Sequence, residues 1–186
     1  MRIVRVSGKR LGLRDVTEGD VAALHVIYGD PTVTAHLPYD PRSHEDVAGF
    51  VAEALTAAAA EPRLLYMLAV VDQEREDDDV IGVARLRVDP GYPHSAEISL
   101  GLRPDLWGRG IGTDLIRSLL GFGFRDLGLH RLWGSRSPSN TAAQLAMLVA
   151  GMVEEGRLRH HMLTPDGWRD SIIHAAVSDE WEGLRR

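Results

Sequence analysis

Trp107-Gly108-Arg109-Gly110-Ile111-Gly112-Thr113 joins two segments of different period. Before it, Ser95 to Leu102 is a β-prone run that ends at Arg103-Pro104, where proline blocks further ladder pairing. After it, Ile111, Leu115, Ile116, Leu119 and Leu120 recur at helical spacing in a stripe running toward Asp126. The segment therefore reads as strand, tight turn and helix. A helix N-terminus exposes backbone N–H groups that lack internal partners and carries partial positive charge, so it suits a phosphate that the backbone can approach closely. Gly108, Gly110 and Gly112 allow that approach, with Arg109 and Thr113 as added donors. Such a site is electrostatic and independent of metal.

Two common phosphate motifs fail here by residue count. A P-loop needs Lys and then Ser or Thr after its last glycine, whereas Gly112 is followed by Thr113-Asp114. A dinucleotide fingerprint needs a third glycine where this chain has Thr113 or Leu115, depending on the register chosen. A turn that only reversed the chain would not call for three alternating glycines.

On the N-terminal side, Val16 to Tyr28 reads as a helix that Thr17 could cap, and Ser43 to Ala60 as a second, with Ser43 and Asp46 at capping-box spacing and Pro62 stopping it. Asp30 to Arg42, with three prolines and no periodicity, reads as a loop able to line a cleft. Leu64 to Val71 and Val80 to Val88 read as a strand hairpin, and the acidic run Asp72 to Asp79 as its solvated loop. Pro90-Gly91-Tyr92-Pro93 reads as the next turn. Toward the C-terminus follow a strand His130 to Arg136, a helix Thr141 to Ala150 with Thr141 and Gln144 at capping-box spacing, and strands at Met152 to Leu158 and Arg169 to Val177.

Composition limits the function classes. With 186 residues and 44% hydrophobic content, the expectation is one domain around one core. A formal net charge of -6 argues against nucleic acid as a partner, and the near-absence of lysine, Lys9 alone against twenty arginines, is a compositional bias without functional content. The absence of cysteine excludes disulfides, thiolate zinc sites and a Cys nucleophile, and it fits a reducing cytoplasm. Met1 to Arg10 alternates Arg with Ile and Val, and no segment reaches the roughly 18 apolar residues of a membrane span, so a soluble, unprocessed protein with no membrane partner is expected.

Ala96-Glu97-Ile98-Ser99-Leu100-Gly101-Leu102 followed by Trp107 to Thr113 resembles the cofactor motif of the GNAT acyltransferases, and its Trp-Gly-x-Gly form resembles the branch containing ribosomal-protein N-terminal acetyltransferases. The likeness extends over nearly the whole chain, from Leu11-Gly12-Leu13-Arg14 to Gly167-Trp168-Arg169-Asp170. It implies an α+β fold: a mixed, mainly antiparallel sheet of six to seven strands, flanked by helices and splayed between its fourth and fifth strands. It also implies that acetyl-CoA or another short acyl-CoA is a co-substrate, without metal. Ile98, Ser99 and Leu100 would hold the pantetheine arm, Trp107, Gly108, Arg109, Gly110, Ile111, Gly112 and Thr113 the pyrophosphate, and Asn140 a further part of the arm, unless it serves only to cap the helix it precedes.

The chemistry implied is direct attack of a primary amine on the thioester, with no acyl-enzyme. An aliphatic amine is protonated near neutral pH and needs a base. Glu97, at the start of the strand that would receive the pantetheine, is the first candidate, and His160 and His161 are the alternatives. Relatives often carry a Ser where this chain has Ala143, so protonation of the leaving thiolate falls to water or to Ser135 or Ser139. Three acceptor readings stay open: a protein N-terminus, a small-molecule amine or antibiotic, or no acceptor in a CoA-binding sensor. A monomer or a homodimer is expected.

Overall fold

The stripe Ile111, Leu115, Ile116, Leu119 and Leu120 forms one face of a helix, Ile111–Gly121, and each of those side chains is at most 2% exposed. At about 1.5–3 kcal/mol per fully buried aliphatic side chain, this face holds the helix on the sheet more strongly than helix propensity does. The computed structural model describes residues 4–7, 10–73 and 79–181. Among them eight strands form one sheet: β1 (Arg5–Ser7), β2 (Leu11–Asp15), β3 (Leu65–Asp72), β4 (Val80–Asp89), β5 (Tyr92–Leu102), β6 (Arg131–Arg136), β7 (Val153–Thr164) and β8 (Gly167–Val177). Their spatial order is β1-β2-β3-β4-β5-β6-β8-β7, and only the β5–β6 pair is parallel. The strand beyond the expected seven is β1, three residues too short to show a period, which pairs with β2 through Arg5↔Arg14. Its presence makes β5 and β6 the fourth and fifth strands of the expectation.

The helices are α1 (Val21–Tyr28), α2 (Pro31–Thr34), α3 (His44–Ala58), α4 (Ile111–Gly121) and α5 (Thr141–Val149). They cover both faces of the sheet. On one, α4 and α5 pack over Ala84, Leu86, Ile98 and Leu132; on the other, α1 and α3 pack over Met67, Ala69 and Val83. The Ser43–Asp46 box closes α3 as its spacing predicts, with Asp46 N–H donating to Ser43 Oγ at 3.1 Å and Ser43 N–H to Asp46 Oδ2 at 2.9 Å. Such a cap contributes about 1 kcal/mol. No helix among the described residues is long and apolar enough to cross a membrane.

Several local expectations are corrected. The segment Asp30 to Arg42 holds the short helix α2, because Asp30 Oδ1 accepts from Thr32 N–H at 2.6 Å and Pro31 fits the first helical position. Helix α5 does not use Thr141 and Gln144 as a box; Asn140 caps it, its Oδ1 accepting from Ala143 N–H at 2.9 Å. Helix α4 stops at Gly121 and widens into a π-type turn over Phe122–Asp126. A single 3-10 turn, Glu18–Asp20, follows Thr17 and leads into α1. Strand β5 begins at Tyr92, which pairs with Asp89, leaving Pro90 and Gly91 as the tip of the turn. β3 and β4 pair as the expected hairpin, but residues 74–78 of its acidic loop lie outside the described residues.

Candidate active site

β5 and β6 pair over only three positions, Ser95↔Arg131, Ala96↔Leu132 and Glu97↔Trp133. Beyond Glu97, β5 stays bonded to β4 as far as Leu102, while β6 stays bonded to β8 as far as Arg136. The two strands therefore part into a wedge whose vertex is the Glu97–Trp133 pair. They are close there: a Cβ on Gly134 would come within 3.0 Å of the Ile98 carbonyl oxygen. Backbone groups of Ile98 to Leu102 that point into the wedge have no strand partner on that side, and a bound chain with amide groups could take that place.

The glycine turn stands beyond the open end of this wedge. Gly108 and Gly110 have φ of 74° and 77°, the left-handed region in which a side chain is strained, and Gly110 directly precedes α4. Among the described residues, nothing beyond the chain neighbours lies within 4 Å of a Cβ built on either residue. The backbone there faces open space at the N-terminus of an eleven-residue helix, which fits a pyrophosphate. Trp107 ties the turn to β5 by donating its indole N–H to the Leu102 carbonyl at 3.0 Å. Ile111 is 1% exposed, so only its backbone is available to a ligand. Thr113 and Gly112 are half-buried and Arg109 is exposed.

Side chains alternate along a strand, and directly opposed residues share a face. Ile98, 3% exposed, points into the core under α4, whereas Glu97 and Ser99 point to the α1–α3 face. Gly101 confirms that parity, since a Cβ there would meet Ile27 of α1 at 3.0 Å. Across β4, Arg87 stands opposite Glu97 and Arg85 opposite Ser99. Glu97 is half-buried; burial raises its carboxyl above its ordinary value, and the positive charges of Arg87, Arg85 and His161 pull against that rise.

The two histidines separate. β7 and β8 slip register between Leu158 and Met162, and His160 in that bulge has φ 49°. His160 N–H donates to Asp170 Oδ1 at 2.8 Å, and its ring is exposed. His161 Nδ1 is 3.0 Å from Ser171 Oγ, and the charge of His161 is felt at Glu97. The structure thus brings His161, and not His160, to the Glu97 face. Asn140 uses Oδ1 to cap α5, which leaves its Nδ2 as the donor. Among the described residues no three His, Asp or Glu converge to hold a metal ion.

A family model described as an acetyltransferase (GNAT) domain matches residues 10–153. The chain belongs to the GNAT acetyltransferase family. It is an N-acetyltransferase, and acetyl-CoA is the acyl donor of that family. The uncharacterized N-acetyltransferase YnaD of Bacillus subtilis (strain 168) is 25% identical over 178 residues, 96% of this chain and 99% of the relative. The ribosomal-protein-S5-alanine acetyltransferase from Vibrio fischeri superposes with a TM-score of 0.78 at 18% identity, covering 96% of this chain and 98% of that one. The spermidine N-acetyltransferase from Vibrio cholerae, solved with CoA and spermine, gives 0.79 at 20% identity, covering 94% and 99%. Two structures named for such different acceptors share this fold, so the fold alone does not choose the acceptor of this acetyltransferase.

The sequence reading missed Arg85, Arg87 and Trp133. A signal existed in Arg85-Leu86-Arg87-Val88, where two charges alternate with apolar residues in a strand interior to the sheet. It becomes legible only once the register sets both opposite the Glu97 region. A cavity of about 250 Å³ between β1, the end of α3 and the π-type turn, lined by Arg5, Arg63 and Tyr66 among others, shares no residue with this site.

Proposed function

We propose that this acetyltransferase moves an acetyl or other short acyl group from acyl-CoA to a primary amine by direct attack in a ternary complex, with Glu97 as the base. The acceptor is a protein N-terminus or a small-molecule amine. The observation that carries the proposal is the position of Glu97 at the last β5–β6 pair, at the vertex of the wedge that would receive the pantetheine and on the α1–α3 face, where the acceptor would lie.

Glu97 accepts one proton from the acceptor's ammonium, directly or through water. The freed nitrogen then attacks the thioester carbonyl carbon; the C–N bond forms and the C–S bond breaks. The second proton leaves the nitrogen for the departing thiolate, a small demand because a thiol pKa is about 8.5. A backbone N–H near Ser99 or Leu100, facing the wedge, would stabilise the developing oxyanion. Asn140 Nδ2 and the unpaired edge of β5 would hold the arm, and the amides of Gly108 to Thr113 the pyrophosphate. His161, held by Ser171, is the second candidate base.

A screen of amines and peptides with acetyl-CoA and succinyl-CoA, read as free thiol, tests this. Amine-dependent thiol release is expected. Acetyl-CoA binding with no release for any acceptor would contradict acyl transfer and favour a CoA-binding sensor, the reading that Ala143 in place of a hydroxyl keeps alive.

A further inference from the structure

On the α1–α3 face the base is flanked by cations. Arg87 lies directly across from Glu97, where opposed Cβ atoms are about 5 Å apart, and Arg85 lies on the diagonal at roughly 7–8 Å. Among the described residues neither guanidinium forms an ion pair with any carboxylate, Glu97 included. The charge of Arg85 acts on the hydroxyl of buried Tyr28 at the end of α1 and also reaches Tyr39. Arg42 stacks on the Tyr39 ring at 4.2 Å and adds a third cation, which has Asp46 within electrostatic reach.

β4 begins at Val80, seven residues or about 23 Å from Arg87 at strand rise. Asp79, just before it, is paired with Arg103 at 2.9 Å. A polycation would meet two guanidiniums that, among the described residues, have no carboxylate partner. An acceptor with a carboxylate beside its amine would meet complementary charge at both ends.

We propose, building on the acyl-transfer reading above, that the acceptor is a primary amine bearing a nearby carboxylate, its nitrogen directed to Glu97 and its carboxylate to Arg87 and Arg85. A free amino acid and a peptide N-terminus with an acidic side chain share this chemistry. In either, the anion fixes the orientation of the amine, because a guanidinium binds a carboxylate with two parallel N–H donors.

The experiment compares kcat/KM for matched acceptors that differ only in the carboxylate: alanine against alaninamide, and peptides beginning Ala-Asp against Ala-Asn, with spermidine as the cationic control. The carboxylate member of a pair should be favoured about tenfold or more. Alanine over alaninamide marks the free amino acid as the source; Ala-Asp over Ala-Asn marks the peptide. Arg87→Gln, at an exposed position, should bring the ratio toward one, Arg87→Lys should restore part of it, and acetyl-CoA titration checks that each variant retains the donor site. Equal or better turnover of the amides or of spermidine overturns the anionic acceptor and leaves acyl transfer intact, as does an unchanged ratio in Arg87→Gln. Absence of turnover with every amine overturns both.

Discussion

Glu97 sits where ionisation is disfavoured, half-buried in a sheet, and the same burial makes it a stronger base than an exposed carboxylate. A base works deprotonated, so kcat/KM should fall as pH drops through a pKa above the ordinary Glu value and hold above it. Glu97→Gln should lower kcat about 10²–10⁴-fold and remove that acidic limb, as a pH–rate profile will show. If instead the limb survives in Glu97→Gln and disappears in His161→Gln, the imidazole is the base. At this scale the sequence was partly legible. The resemblance singles out Glu97 as the start of the strand expected to receive the pantetheine, and the β5–β6 pairing ends at that residue. The choice between His160 and His161 did not follow, because a bulge in β7 sets which imidazole turns toward Glu97, and a bulge leaves no mark in a run such as Arg157-Leu158-Arg159-His160-His161. Arg85 and Arg87 depended on a cross-strand register that the residues of one strand do not contain.

At the level of elements, α5 combines a structural and a functional claim in Asn140. Asn140→Ala should cost about 0.5–2 kcal/mol in chemical denaturation through loss of the cap, whereas Asn140→Ser, which keeps a capping oxygen, should recover most of it. If Nδ2 also contacts the donor, both variants should bind acetyl-CoA more weakly despite their different stabilities. The wedge offers a second check. With the Ile98 carbonyl 3.0 Å from a Cβ on Gly134 and the Met147 side chain 3.5 Å away, Gly134→Val should press the vertex apart and weaken acetyl-CoA binding. Strong periodicity made α3, α4 and the β3–β4 hairpin readable, while α2 and β1 escaped because each is fixed by one or two hydrogen bonds or by a neighbour, not by a repeating pattern.

Across the molecule, the helix-covered faces hold a titratable group that the chemistry does not use. His174 of β8 is fully buried, neither ring nitrogen has a hydrogen-bond partner among the described residues, and Nε2 is 3.5 Å from Glu154 Oε2. Burial and then Arg136 lower its pKa, with Glu154 opposing. The unfolded chain takes up this proton near pH 6.5 while folded His174 does not, so its contribution to stability is complete above about pH 6.5 and is lost as pH falls below it, at up to about 1.4 kcal/mol per pH unit. Denaturation series above and below that pH should show the decline, and His174→Leu should flatten it. In the proposed reaction the start of α4 would cradle the anion and Glu97, at the vertex of the β5–β6 wedge, would act as the base, and donor binding would depend on the glycine turn lying free to take a phosphate. Calorimetric titration of acetyl-CoA into the wild type, Gly110→Ala and Gly110→Glu tests that dependence most directly. One molecule should bind per wild-type chain, Gly110→Ala should weaken binding through backbone strain alone, and Gly110→Glu should abolish it while the protein remains folded by circular dichroism. No heat from the wild type, or equal affinity in Gly110→Glu, would contradict the account.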